Sequence, residues 1–184
     1  MPRKPRAETA GGIYHVYARG AVKQMVFIDN RDRRTYLVRL RSVTERLSWS
    51  CLSYCLLGNH MHMLIETPEP NLARGMHLLH GSYAQWFNKR HAKSGHVFEK
   101  RYDAKPIETD AQFWVTVRYI DRNPVEAALC SRPADWPWGS HASIAQGASP
   151  PAVDVPRLLS YFAPMGGDPL RQYLDFVTAD VERG

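Results

Sequence analysis

The sequence predicts an α+β domain in which helices pack on an antiparallel sheet. Three observations carry that prediction: short runs of alternating apolar and polar residues, apolar stripes at helical spacing between them, and the order strand, helix, strand, strand, helix, strand, helix. That order fits a split β-α-β arrangement of the ferredoxin-like or RRM-like kind.

Gly11-Gly12 precede Ile13 to Gly20, an alternating run closed by glycine that reads as the first strand, with its side chains assigned to sheet core. Asp29 or Asn30 can cap a first helix in which Tyr36, Leu37, Leu40, Val43 and Leu47 form the apolar stripe and arginines cover much of the remainder. Trp49 to Leu57 and His60 to Thr67 are two extended arms joined at Gly58-Asn59, a hairpin. Leu72, Met76, Leu79, Tyr83 and Phe87 keep helical spacing, and a short strand around Tyr102 to Ile107 follows. Thr109 to Gln112 has capping-box spacing and opens a third helix that Pro124 should end or interrupt. Residues 145–156 are rich in Pro, Ala, Gly and Ser and read as a linker, after which Leu158 to Val181 could dock a helix.

A chain of 184 residues is long enough for one domain with a real core and short for two. Lys and Arg number 24 against 18 Asp and Glu, a formal charge of +6, which favours a polyanionic partner. No apolar stretch is long enough to cross a bilayer, and the N-terminus has no apolar segment of a signal peptide, so the expected location is the cytoplasm, away from membranes. Cys51, Cys55 and Cys130 lack a Cys-x-x-Cys spacing. On a strand Cys51 and Cys55 would lie roughly 13 Å apart, so the three read as reduced thiols and not as a zinc site.

Two features carry chemistry. His60 and His62 stand one residue apart in an apolar run, so on a strand they share a face with Leu64 and Glu66, opposite Met61, Met63 and Ile65. Both imidazoles are thereby aimed at one point, as half of a metal site would require. On the third helix Tyr119 and Asn123 are four residues apart and project together, while Phe113, Val117 and Ile120 face the core. Asn123 before Pro124, with Glu126 three residues on, also suits the N-cap of a following helix, and both roles stay open.

Together these motifs resemble a known family. Gly58-Asn59-His60-Met61-His62-Met63-Leu64-Ile65, Tyr119-Ile120-Asp121-Arg122-Asn123-Pro124-Val125, Tyr14 to Gly20 and Asp135-Trp136-Pro137-Trp138 look like the single-tyrosine HUH transposases, particularly the REP-associated tyrosine transposases, over roughly residues 11–142. The resemblance implies His60 and His62 as metal ligands on a central strand, and Tyr119 as nucleophile on a C-terminal helix. Asn123 stands where relatives carry an amide, often Gln, that completes the site. The implied metal is Mg²⁺ or Mn²⁺, and the implied substrate is single-stranded DNA carrying an imperfect palindrome or hairpin, cleaved and rejoined by a monomer or homodimer.

The chemistry gives each group a reason. A phenol with a pKa near 10 is a poor nucleophile at neutral pH unless a cation makes the phosphorus electrophilic. A covalent phosphotyrosine keeps the energy of the cleaved diester, so rejoining needs no ATP, and the chain has no P-loop motif. For DNA contacts, Lys89, Arg90, Lys93, Lys100, Arg101 and Lys105 are interleaved with Phe98, Tyr102 and two histidines, a composition suited to phosphate contacts and base stacking. Arg3, Lys4 and Arg6 form a basic arm, and Arg118 and Arg122 flank the tyrosine as candidate backbone clamps. Residues 1–144 are expected to form the catalytic domain and residues 145–184 a linker and tail. Two other readings remain: an RRM-like module that binds nucleic acid without cutting, and a metal-dependent phosphodiesterase that uses water.

Overall fold

The computed structural model describes residues 8–179. Four strands, β1 (Gly12–Arg19), β2 (Ser50–Leu56), β3 (His60–Thr67) and β4 (Asp103–Ile107), form one antiparallel sheet in the order β2-β3-β1-β4. The order interleaves β3 between β1 and β2, as the predicted split β-α-β arrangement requires. Long-range pairing of β1 with β3 sets Tyr17 opposite His62 and Arg19 opposite His60.

The period-two alternation sorts each strand between two cores. Val16, Ala18, Met61, Met63 and Ile65 meet α1 (Asn30–Leu47) and α2 (Leu72–Arg90) on one face. Asp29 caps α1 and completes a capping box with Asp32. In α2, Gly75 lets the helix approach Trp49, because a Cβ there would stand 2.1 Å from the indole. On the other face Leu64 and Leu52 meet Phe113, Val117 and Ile120 of α3 (Asp110–Glu126), along with α4 (Ser140–Ala145), α5 (Val155–Ser160) and α6 (Pro169–Thr178). Of these helices α4 and α5 pack over β2, while α3 also reaches β3 and β4. The β1 side stays open, and there the polar members of β1 and β3 emerge.

Three local expectations change. Pro124 does not end α3, which runs to Glu126. A proline this close to the C-terminus leaves only the Ile120 carbonyl without its helical partner, while Asn123 still accepts from the Ala127 amide at 2.9 Å. No helix starts at Asn123, so the N-cap alternative falls. The Pro/Ala/Gly/Ser segment is not free-running: the Asp154 amide donates to the Cys51 carbonyl at 2.9 Å, and Ser50 donates to the Asp154 carboxylate at 2.7 Å, so it lies along the outer edge of β2. The opposite edge, β4, carries exposed Lys105 and Pro106.

Cys51 and Cys55 are buried free thiols, and burial pushes Cys51 up to about 12, where it is unreactive. Among the described residues no helix is long and apolar enough to cross a membrane.

Candidate active site

Where the sheet is uncovered, a pocket of about 450 Å³ opens between the strand ends and α3. His60 and His62 of β3 meet Tyr119 of α3 there. The Tyr119 ring stands edge-on to His62 with centroids 5.2 Å apart, and to His15 at 5.7 Å. His62 is only 4% exposed, whereas Tyr119 is 45% exposed, so the imidazole is held by packing and the phenol is open to a large substrate.

The hydrogen bonds fix which nitrogens remain free. His60 Nδ1 lies 2.7 Å from Asn59 Oδ1, an acceptor, so Nδ1 carries the proton and Nε2 keeps its lone pair. Buried Asn123 lies close enough to the same imidazole to oppose part of the effect of burial on it. His62 Nδ1 lies 3.0 Å from His15 Nε2, and Tyr17 stacks on His62 at 5.0 Å. If His62 donates through Nδ1, its Nε2 is also free as a ligand. Two neutral imidazoles and one amide oxygen make a donor set that fits a divalent cation. Among the described residues no group of three His, Cys, Asp or Glu is arranged to hold a metal, so a third protein donor here would be the Asn123 amide.

Desolvation keeps the imidazoles neutral. Burial, reinforced by the nearby Lys105 charge, lowers His15 to about 4, and burial, with His15 and His60 beside it, lowers His62 to about 3. His60 is lowered mainly by burial. The unfolded chain would take up these protons near pH 6.5. Folding stability therefore falls as pH drops below that value, towards 4 and 3, and is recovered above it. An NMR titration of the metal-free protein is expected to find His15 and His62 uncharged at pH 5.5; charged rings at that pH would contradict the buried geometry.

The remaining predicted DNA contacts divide by what their side chains meet. Lys105 lines the pocket beside Asp103, and Lys89 and Arg101 are exposed. Arg90 is committed to Asp29 and Asp32 at the start of α1, Lys93 lies over the Phe87 ring at 5.4 Å, and Lys100 pairs with Asp103 at 2.8 Å. Tyr102 is buried, in the wall of a second cavity against α2. Arg118 and Arg122 do not face the pocket as clamps. Arg118 donates twice to the Phe176 carbonyl, at 2.8 and 3.0 Å, and Arg122 to the Val177 carbonyl at 3.3 Å. The last carbonyls of a helix lack internal partners and carry partial negative charge, so two guanidiniums are well matched to them. Arg3, Lys4 and Arg6 lie outside the described residues.

Asp103 of β4 escaped the sequence reading of the pocket, and so did three residues of β1, His15, Tyr17 and Arg19. The three are the polar members of β1, on one face by period two, and the signal that could have found them is the pairing of that face with His60 and His62. The Arg19 Nε is buried with no hydrogen-bond partner among the described residues.

A solved REP-associated tyrosine transposase bound to a REP hairpin superposes with a TM-score of 0.64 at 18% identity, over 84% of this chain and 93% of that one. A candidate transposase from Deinococcus radiodurans aligns at 13% identity and a TM-score of 0.45, over 69% of this chain and 95% of that one, too distant to carry argument. No curated protein shows significant sequence similarity to this chain. The sequence model of the family described as transposase IS200-like matches residues 9–123, a span that runs from the start of β1 through Asn123, and the chain therefore belongs to the IS200-like transposase family.

Proposed function

We propose that this transposase is a REP-associated tyrosine transposase that cleaves and rejoins single-stranded, hairpin-bearing DNA through Tyr119. The observation that carries the reading is the placement of an exposed phenol against buried His62, with half-buried His60 and His15 beside it, in a pocket edged by Arg19 and Lys105. The solved relative named above was bound to a REP hairpin, which supports the same substrate class here.

His60 and His62, with the Asn123 amide, would hold a divalent cation. Bound there, such a cation neutralises charge on the scissile phosphate. Imidazole donors favour Mn²⁺ over Mg²⁺ among the two expected ions. Arg19 and Lys105 add fixed positive charge for the flanking backbone. The Tyr119 oxygen attacks phosphorus as its proton departs, the P–O3′ bond breaks, and the 3′-oxygen leaves protonated with the 5′ side held as a phosphotyrosine. Attack by a 3′-hydroxyl reverses these bonds and reseals a strand. The open, half-exposed setting of Tyr119 suits a polymeric substrate that must enter and leave.

The test incubates the protein with end-labelled single-stranded hairpin DNA from its own locus and Mn²⁺, with and without chelator. A covalent protein-DNA adduct that maps to Tyr119 and vanishes with chelator is expected. Hydrolysed ends without adduct would favour the phosphodiesterase, and tight binding without cleavage the binding module.

His15 supplies a second, independent check. It is the acceptor that would keep the proton on His62 Nδ1 and leave Nε2 for the cation. His15→Ala is expected to weaken Mn²⁺ binding about 10- to 100-fold, measured by electron paramagnetic resonance, with His15→Gln intermediate. Unchanged affinity would remove His15 from the site.

A further inference from the structure

At the end of β1 the chain turns sharply at Gly20, where a Cβ would collide with the Gln24 carbonyl oxygen. In the turn that follows, Val22 (φ 50°, ψ 34°) and Lys23 (φ 59°) both stand in the left-handed region. A β-branched residue is strained there, whereas glycine or asparagine would be at ease. The fold gives no reason for the valine: its side chain is 97% exposed, and no residue from Ala21 to Lys23 is buried. Met25 and Ile28, just beyond, are half exposed as well. The surroundings nevertheless hold the strain in place. The Ala21 amide donates to the Val97 carbonyl at 3.1 Å, Gln24 Nε2 to the His96 and Val97 carbonyls at 3.2 Å each, and Asn59 Nδ2 to the Lys23 carbonyl at 3.5 Å. A braced tip that carries an apolar side chain into solvent, in a costly conformation, has the marks of a contact surface.

We propose that Val22 caps the flat face of the closing base pair at the foot of the DNA hairpin, where duplex meets single strand. The inference rests on the DNA-cleaving reading given above and names the part of that substrate which this turn reads. Position and chemistry select the hairpin foot. Arg19, which lines the catalytic pocket, is three residues before Val22; the Gly20 amide donates to the Asn59 carbonyl at 2.8 Å, and Asn59 Oδ1 meets His60 Nδ1. The tip therefore stands at the same end of the sheet as the proposed cation ligand His60 and is tied to it through one residue. A duplex end offers an apolar ring face edged by phosphates, which an aliphatic tip beside exposed Lys23 complements. With the foot stopped on Val22, the number of unpaired nucleotides between hairpin and Tyr119 is fixed. The turn would thereby choose which phosphodiester is cut.

The test compares Val22→Asn with the wild type, because asparagine suits the left-handed backbone and removes the apolar tip. Tm should hold or rise. Affinity for a hairpin with a single-stranded flank, read by fluorescence anisotropy, should fall about tenfold, the scale of one buried valine side chain, while affinity for the flank alone stays unchanged. On denaturing gels the variant should cut at several neighbouring positions where the wild type cuts at one. Val22→Leu, which keeps an apolar tip, should retain both affinity and cut position. A mismatched closing pair should cost the wild type a similar factor and cost Val22→Asn nothing further. The inference falls if Val22→Asn binds and cuts the hairpin as the wild type does, or if it loses flank and hairpin equally, which would assign Val22 to the single strand. A drop in Tm would overturn it too, by giving the valine a role in the fold. Failure of the wild type to form an adduct with any hairpin would instead overturn the functional reading, and this inference with it.

Discussion

Tyr119→Phe is expected to eliminate the covalent adduct and to lower strand cleavage by about 10⁴-fold or more, the scale seen when a nucleophile is removed. The substitution deletes one oxygen and keeps the ring that meets His62 and His15 edge-on. Because the side chain is half exposed and its ring is kept, stability should stay within about 0.5 kcal/mol of wild type. Loss of activity would then belong to the missing oxygen and not to a displaced helix. Denaturing gels read adduct and cleavage, and a thermal melt reads stability. Full cleavage by the variant, with hydrolysed ends, would transfer the nucleophilic role to water.

Asp121→Ala is expected to lower stability by about 3 kcal/mol or more, roughly 10 °C in Tm for a chain of this size. Asp121 is buried on α3, accepting from Ser53 of β2 at 2.7 Å and from Tyr173 of α6 at 2.7 Å, while Tyr173 also meets His141 Nδ1 of α4 at 3.0 Å. Alanine would remove the charged acceptor shared by two buried hydroxyls, leaving Tyr173 only His141 and Ser53 only Ser140, and would open a void beside them. Burial pushes the Asp121 carboxyl above its ordinary range, against the opposing effects of His141, Ser53 and Tyr173. A carboxyl raised in the folded state stabilises most below its unfolded pKa of about 4, and that contribution is lost as pH rises through the folded value. Asp121→Asn, which cannot ionise, should therefore lose much less than Asp121→Ala at neutral pH. Equal losses would mean that the charge itself is required.

The periodic features were legible in the sequence because period fixes geometry locally. Alternation put His60 and His62 on one face of β3, and a spacing of four put Tyr119 and Asn123 on one face of α3. What joins those faces was not legible. His15 is 47 residues from His62, and only the β1-β3 register brings them to 3.0 Å. Arg118 and Arg122 looked like substrate contacts because a charge beside a nucleophile suggests a phosphate. The competing acceptors, carbonyls 58 and 55 residues away, come from a helix whose docking site no local pattern specifies. Pro124 shows the same limit: proline forbids one hydrogen bond, and whether that ends a helix depends on how many turns remain. The linker-like composition of residues 145–156 reported low helical and strand propensity correctly but said nothing of the strand edge the segment covers.

That edge has a consequence for self-association. Antiparallel sheets invite a second copy wherever a strand leaves its amides and carbonyls open. Along β2 the 152–154 segment already takes up backbone positions, through Asp154 and a bridge of Val153 to Cys51. Along β4 a newcomer would meet Pro106, which offers no amide, next to the exposed ammonium of Lys105. Both margins of the sheet are thus guarded, one by its own tail and one by composition, so two copies that did associate would have to do so through helices or across DNA and not by growing a shared sheet.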